Sequence, residues 1–76
     1  MDKKIEDMIK LQALNDGQTC NVGPGIMDER QFVVCRNFNY YFLFEVPAYG
    51  GEPYYLNEYY DDIDSLIDDV WSGKWP

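Results

Sequence analysis

The chain of 76 residues is 46% hydrophobic and 17% aromatic, and it carries 14 Asp plus Glu against 6 Lys plus Arg, with no His, for a net charge of −8. That size makes one small domain with a modest core, and so many large apolar side chains exclude a disordered chain. The carboxylate surplus excludes direct binding to nucleic-acid phosphates or to an anionic membrane, and leaves basic surfaces of other proteins as sensible partners.

In chain order, a first helix is expected from Asp2 to about Leu14, where Ile5, Met8, Ile9 and Leu11 gather within an arc of roughly 160° at about 100° per residue. Asn15-Asp16-Gly17 ends it, since Gly or Asn suits the left-handed C-terminal position. A short strand fits Gln18–Val22, closed by Gly23-Pro24-Gly25, and Asp28-Glu29-Arg30 reads as a polar loop. Gln31–Arg36 and Tyr40–Val46 are dense in β-branched and aromatic residues and are joined by Asn37-Phe38-Asn39. Pro47 and Gly50-Gly51-Glu52-Pro53 turn the chain into a further strand at Tyr54–Tyr59. A second helix runs from Asp61 to about Ser72, because Ile63, Leu66, Ile67, Val70 and Trp71 stand at i, i+3, i+4, i+7 and i+8; Gly73 stops it. The expected fold is α+β over residues 1–76 as a single domain. A small antiparallel sheet of three strands, with room for the short fourth, is flanked by an N-terminal and a C-terminal helix in the order α-β-β-β-α.

These strands are apolar on both sides, with Phe42 and Phe44 pointing one way and Tyr41 and Leu43 the other. The expected remedy is one helix on each face, or a chain segment folded over. The alternative puts both helices on one face and leaves Val33, Tyr41, Leu43 and Tyr55 as an aromatic patch for a partner or a twin subunit.

Catalytic parts are missing. Without His, and with only Thr19, Ser65 and Ser72 as non-phenolic hydroxyls, the usual nucleophile–base pairs cannot be assembled. No GxxxxGK[ST] or GxGxxG cradle occurs, and Asp61-Asp62-Ile63-Asp64 lacks the central Gly of a calcium loop. The expectation is a non-enzymatic protein with no cofactor and no metal. Cys20 and Cys35 form no CxxC, and the N-terminus has no signal-peptide apolar block. A cytoplasmic protein with both thiols reduced is expected; a Cys20–Cys35 disulfide is the alternative in a secreted one.

The charge is uneven. Residues 1–37 hold six acids and five bases, whereas residues 38–76 hold eight acids and only Lys74. On the second helix Asp61, Asp62, Asp64, Asp68 and Asp69 all fall outside the apolar stripe, with no base among them. Glu58 extends the same field, and Glu52 and Glu45 stand near enough in sequence to join it. Asp61, Asp62 and Asp64 suit a first turn, where carboxylates cap free N–H groups. Asp68 and Asp69 do not, because the dipole disfavours anions in the last turns and Asp64/Asp68 is a like-charge i,i+4 pair. That tension points to an anionic face in use. Glu58, Tyr59, Tyr60, Asp61, Asp62, Asp64, Asp68 and Asp69 are the candidate partner-binding residues, with the tyrosines as interface anchors.

In size, acidity and α-β-β-β-α order the whole chain resembles small phage-encoded inhibitors of host defence, including DNA-mimicking anti-CRISPR proteins, while segments such as Tyr59-Tyr60-Asp61-Asp62-Ile63-Asp64-Ser65-Leu66-Ile67 point to no named family. The resemblance is one of type and rests on no motif. It implies an inhibitor in the host cytoplasm, monomeric or homodimeric, whose acidic face blocks the basic groove of a nucleic-acid-binding protein such as a CRISPR effector. An immunity protein or antitoxin against a basic toxin is similar in the same respects, and a self-associating structural subunit is a third reading.

Overall fold

The computed structural model describes residues 2–24, 31–47, 51–72 and 74. The elements are α1 (Lys3–Gln12), β1 (Thr19–Val22), β2 (Gln31–Asn37), β3 (Tyr40–Val46), β4 (Tyr54–Tyr60) and α2 (Ile63–Trp71). The expected α+β class is what forms, and the optional short strand is present. The four strands make an antiparallel meander in the order β1-β2-β3-β4. The expected loop at Asp28-Glu29-Arg30, the turn glycines Gly25 and Gly50, and the stop at Gly73 lie outside the described residues.

Both helices pack on the same face of the sheet, against each other and against the outer strands. The Cα trace is only 19 Å through its shortest axis, room for one sheet and one helix layer. This overturns the expectation of a helix on each face. The reason is α1: it is too short and too closely bound to α2 and β1 to cross to the other side.

Register decides which residues the helices cover. Cross-strand partners share a face, and Val33 pairs with Phe44 while Val34 pairs with Leu43. The covered set is therefore Phe32, Val34, Tyr41 and Leu43, packed with Leu11, Leu66, Ile67 and Val70. Tyr41 and Leu43 are core, not patch. The uncovered face instead carries Val33, Phe42, Phe44 and Tyr55. Burying leucines such as Leu11, Leu43 and Leu66, all at 0% exposure, contributes about 1.5–3 kcal/mol each.

Helix α2 matches its pattern. Leu66, Ile67 and Val70 are buried and Ile63 and Trp71 pack against them. Helix α1 does not. Ile5 and Ile9 are each 50% exposed, and the buried positions are Asp7, Leu11 and Leu14, with Met8 alongside. Placing Asp7 at 0°, Leu11 and Leu14 fall near 40° and 340°, and Ile5 and Ile9 near 160° and 200°. The helix is turned by roughly 110° from the apolar reading because it buries a carboxylate. Asp7 Oδ2 accepts from the Gly23 N–H at 2.8 Å and from Trp71 Nε1 at 3.1 Å, while Lys10 Nζ stands 3.9 Å from Oδ1. Those contacts tie α1 to the end of β1 and to α2, and they offset part of the desolvated charge; Oδ1 accepts no hydrogen bond from the described residues.

Candidate protein-binding surfaces

The structure separates the expected site residues into three groups. Asp61, Asp62 and Asp64 stay exposed at the start of α2. Asp62 is the N-cap: its carboxylate accepts from the Ser65 N–H at 2.7 Å and from Ser65 Oγ at 2.9 Å. These hydrogen bonds favour the ionised form and hold its pKa below the usual carboxylate value. Asp61 and Asp64 have no side-chain hydrogen bond or ion pair among the described residues.

Asp68, Asp69, Glu58 and Tyr60 form a second group, paired within the chain, with Asp68 itself still exposed. Lys4 of α1 reaches Asp68 at 3.4 Å, and Lys74 reaches Asp69 at 3.3 Å and Glu58 at 3.6 Å. Tyr60 is buried and donates its hydroxyl to Asp69 Oδ2 at 2.7 Å. Burial, and then the hydrogen bond and charge of Asp69, push the Tyr60 phenol well above its ordinary pKa. Tyr60 therefore fixes Asp69 rather than offering itself to a partner. The last-turn aspartates that look costly in the sequence are thus answered by cations from elsewhere in the chain. Lys4 lies 64 residues before Asp68, so no window around α2 reveals it. Glu45 also leaves the acidic field, being buried with its carboxylate hydrogen-bonded by the Tyr54 hydroxyl.

Tyr59 forms the third group, on the opposite side of the sheet. β4 carries two more residues than β3 between the Leu43–Glu58 and Phe44–Tyr55 pairs, and that even slip preserves alternation. Tyr55 and Tyr59 consequently share the uncovered face with Phe42 and Phe44. The rings contact one another: Tyr40 meets Tyr59 edge-on with centroids 5.7 Å apart, and Phe44 meets Tyr55 at 5.4 Å. Tyr40, Phe42 and Tyr59 line an open depression of about 280 Å³.

This face carries no charge among the described residues. The strands contain only three charged side chains, Arg36, Glu45 and Glu58. Register places each with the core: Arg36 opposite Tyr41, Glu45 two residues from Leu43, and Glu58 opposite Leu43. Cys20 pairs with Val34 on the covered side, while Cys35 pairs with Phe42 on the other. The two thiols are free and point to opposite faces, so the sheet itself keeps them from bonding. Burial raises the Cys20 pKa, opposed by the charge of Lys10.

One aromatic at the sheet's end was not singled out in the sequence. Asn37 pairs with Tyr40, so Phe38 and Asn39 form a two-residue hairpin turn. Phe38 takes a left-handed backbone (φ 58°) and is 73% exposed. Its N–H donates to Asp16 Oδ1 at 2.8 Å and its carbonyl accepts from Arg36 Nε at 3.0 Å. A bulky residue held in that conformation is strained, and here both of its backbone groups are clamped. The same end of the sheet presents Asp16 and, through the Tyr41–Tyr60 pairing, Asp61 and Asp62.

Among the described residues no three acidic or cysteine side chains gather to hold a metal ion, and no helix is long and apolar enough to cross a membrane. No family model matches the chain, and comparison with characterised proteins and with solved structures gives no match either.

Proposed function

We propose that this chain is a non-enzymatic binding protein. Its acidic side, centred on the start of α2, occupies the basic groove of a nucleic-acid-handling protein, of the kind a CRISPR effector possesses, and so inhibits it. The observation that supports this reading is how the described cations are spent. Lys3 donates to the Pro24 carbonyl, Lys10 to the Asn21 carbonyl beside Asp7, and Arg36 to the carbonyls of Leu14 and Phe38. Lys4 and Lys74 are paired with Asp68, Asp69 and Glu58. The described positive groups are thus engaged with the chain's own acceptors at its surface, and the unanswered charge is carboxylate, at Asp61 and Asp64 above all. Such a surface attracts a basic partner across a Debye length that widens to about 30 Å at 0.01 M salt, and it repels nucleic acid itself.

The test is a pull-down from the host lysate eluted by a salt gradient, followed by competition between the recovered protein's nucleic acid and this chain. Binding is expected to fall steeply with salt, and Asp61→Lys with Asp64→Lys to abolish it while the far-ultraviolet circular dichroism is unchanged. A double variant that binds and inhibits as well as the native chain would refute the assignment.

A further inference from the structure

We infer that the uncharged aromatic face of the sheet is a homodimer interface, with a second copy of this chain as its occupant. The inference is independent of the acidic-surface reading and starts from a contrast within one small molecule. Roughly a quarter of the residues are charged and the net charge is −8, yet one whole face of the four-stranded sheet bears no described Asp, Glu, Lys or Arg. Alternation along the strands lets a charge fall on either side. Instead Arg36, Glu45 and Glu58 all turn toward the helices, at the cost of holding ionic groups beside the core. What the other face offers is Phe42, Phe44, Tyr40, Tyr55 and Tyr59, the last three 46%, 39% and 61% exposed.

Charge selects the occupant. The start of α2, brought against its own copy, opposes carboxylate to carboxylate, with Asp61, Asp62 and Asp64 all exposed there. The sheet face is where two copies meet without opposing charges; its polar groups are the tyrosine hydroxyls and, toward β1 and the ends of β2, the exposed side chains of Thr19, Asn21, Gln31 and Asn37. Two sheets stacked face to face lie about 10 Å apart with interdigitating side chains. The helices then stand outermost, each about 10 Å beyond its own sheet, so the α2 helices of the two copies lie about 30 Å apart, nearly four Debye lengths at physiological salt. Dimerisation through this face therefore keeps the α2 helices and their Asp64, Asp68 and Asp69 well apart.

The area is adequate. Strands spaced at about 4.8 Å with seven residues rising about 3.3 Å each give a planar footprint of roughly 400 Å² per copy before the relief of the rings is counted. Two such faces approach the roughly 1,000 Å² that a specific interface needs, and the ring relief carries them past it. The rings also touch one another within the monomer, from Tyr40 to Tyr59 and from Phe44 to Tyr55, so the anchors are ordered before a partner arrives and little rotamer entropy is lost on docking.

Sedimentation equilibrium of the purified chain, from micromolar to near-millimolar concentration and at low and high salt, tests the inference. The expected result is a rise to twice the chain mass that added salt preserves or strengthens, since salt screens the residual repulsion and does not weaken an apolar contact. Tyr59→Glu and Tyr40→Glu, two exposed positions whose substitution leaves the core intact, are expected each to weaken self-association at least tenfold. Their circular dichroism spectra should match the native one. Asp61→Lys with Asp64→Lys should leave the dimer in place, which separates this interface from the proposed acidic site. A strict monomer at the highest concentration would overturn the inference, whether or not some other protein takes the face. So would a dimer that both glutamate variants form as tightly as the native chain, or one that the aspartate variants abolish.

Discussion

Asp7 is a fully buried carboxylate in a protein whose other carboxylates are mostly surface groups, and removing it should be the most damaging single acidic substitution. Its Oδ2 satisfies the Gly23 N–H and Trp71 Nε1, and its charge faces Lys10 at 3.9 Å. Asp7→Ala strands both donors and vacates the space. A buried unsatisfied donor costs about 1–3 kcal/mol. Gly23 is buried and pays that in full, whereas Trp71 is only partly buried and recovers some of it from water. The expected loss is thus about 2–4 kcal/mol, against a total of about 4–11 kcal/mol for a chain this long. Asp7→Asn keeps one oxygen as an acceptor and should cost about half as much. Urea unfolding followed by circular dichroism measures both. A double-mutant cycle with Trp71→Phe, which deletes the N–H but keeps most of the ring, should give a coupling of about 0.5–1.5 kcal/mol. A loss below about 1 kcal/mol for Asp7→Ala, or independent additive effects in the cycle, would refute the argument that this carboxylate fastens the helices.

Three further outcomes are expected. Phe38→Asn should raise stability by about 1 kcal/mol in urea unfolding, because Asn tolerates the left-handed backbone at far lower cost and the 73% exposed ring packs little. Tyr60→Phe should cost about 1 kcal/mol at neutral pH through the hydrogen bond lost to Asp69. The folded-state pKa of Tyr60 is raised, so its contribution is complete below the unfolded value near 10 and is lost as pH rises through the folded one; ultraviolet titration should show one tyrosine ionising later than the exposed set. Mild oxidation should leave Cys20 and Cys35 without an intramolecular bond, with two thiols recovered by titration of the unfolded monomer.

How far the fold was legible depends on whether its determinants were local. Helix α2 was readable because its five apolar positions repeat within nine residues and all turn inward. Helix α1 was misread because an aspartate defaults to solvent in any sequence argument, and only Gly23 and Trp71, far along the chain, reverse that for Asp7. The strands were found, but their faces were not. Alternation gives two sets, and only the pairing of Val33 with Phe44 tells which set Val33 joins. The acidic site suffered likewise. Tyr59 and Tyr60 are neighbours in sequence yet face opposite sides of the sheet, and Asp68 and Asp69 are paired within the chain by Lys4, Lys74 and Tyr60. The sequence did show that the second half is anionic. It did not show that one face of the sheet avoids charge, because that depends on register at three positions.

The ties between the two helices also constrain when the fold can be completed. Lys4–Asp68 and Asp7–Trp71 each join residues 64 apart, whereas each hairpin pairs near neighbours. Closing so long a loop is entropically the slowest step available to a chain of this size. During synthesis the meander can pair strand by strand as it leaves the ribosome, but α1 is seated only on β1 until α2 follows. Until then Asp7 has Gly23 but not Trp71, and the apolar side of the sheet stays open. A stalled or truncated chain lacking α2 is therefore left with an uncovered core face, a ready substrate for chaperones and proteases.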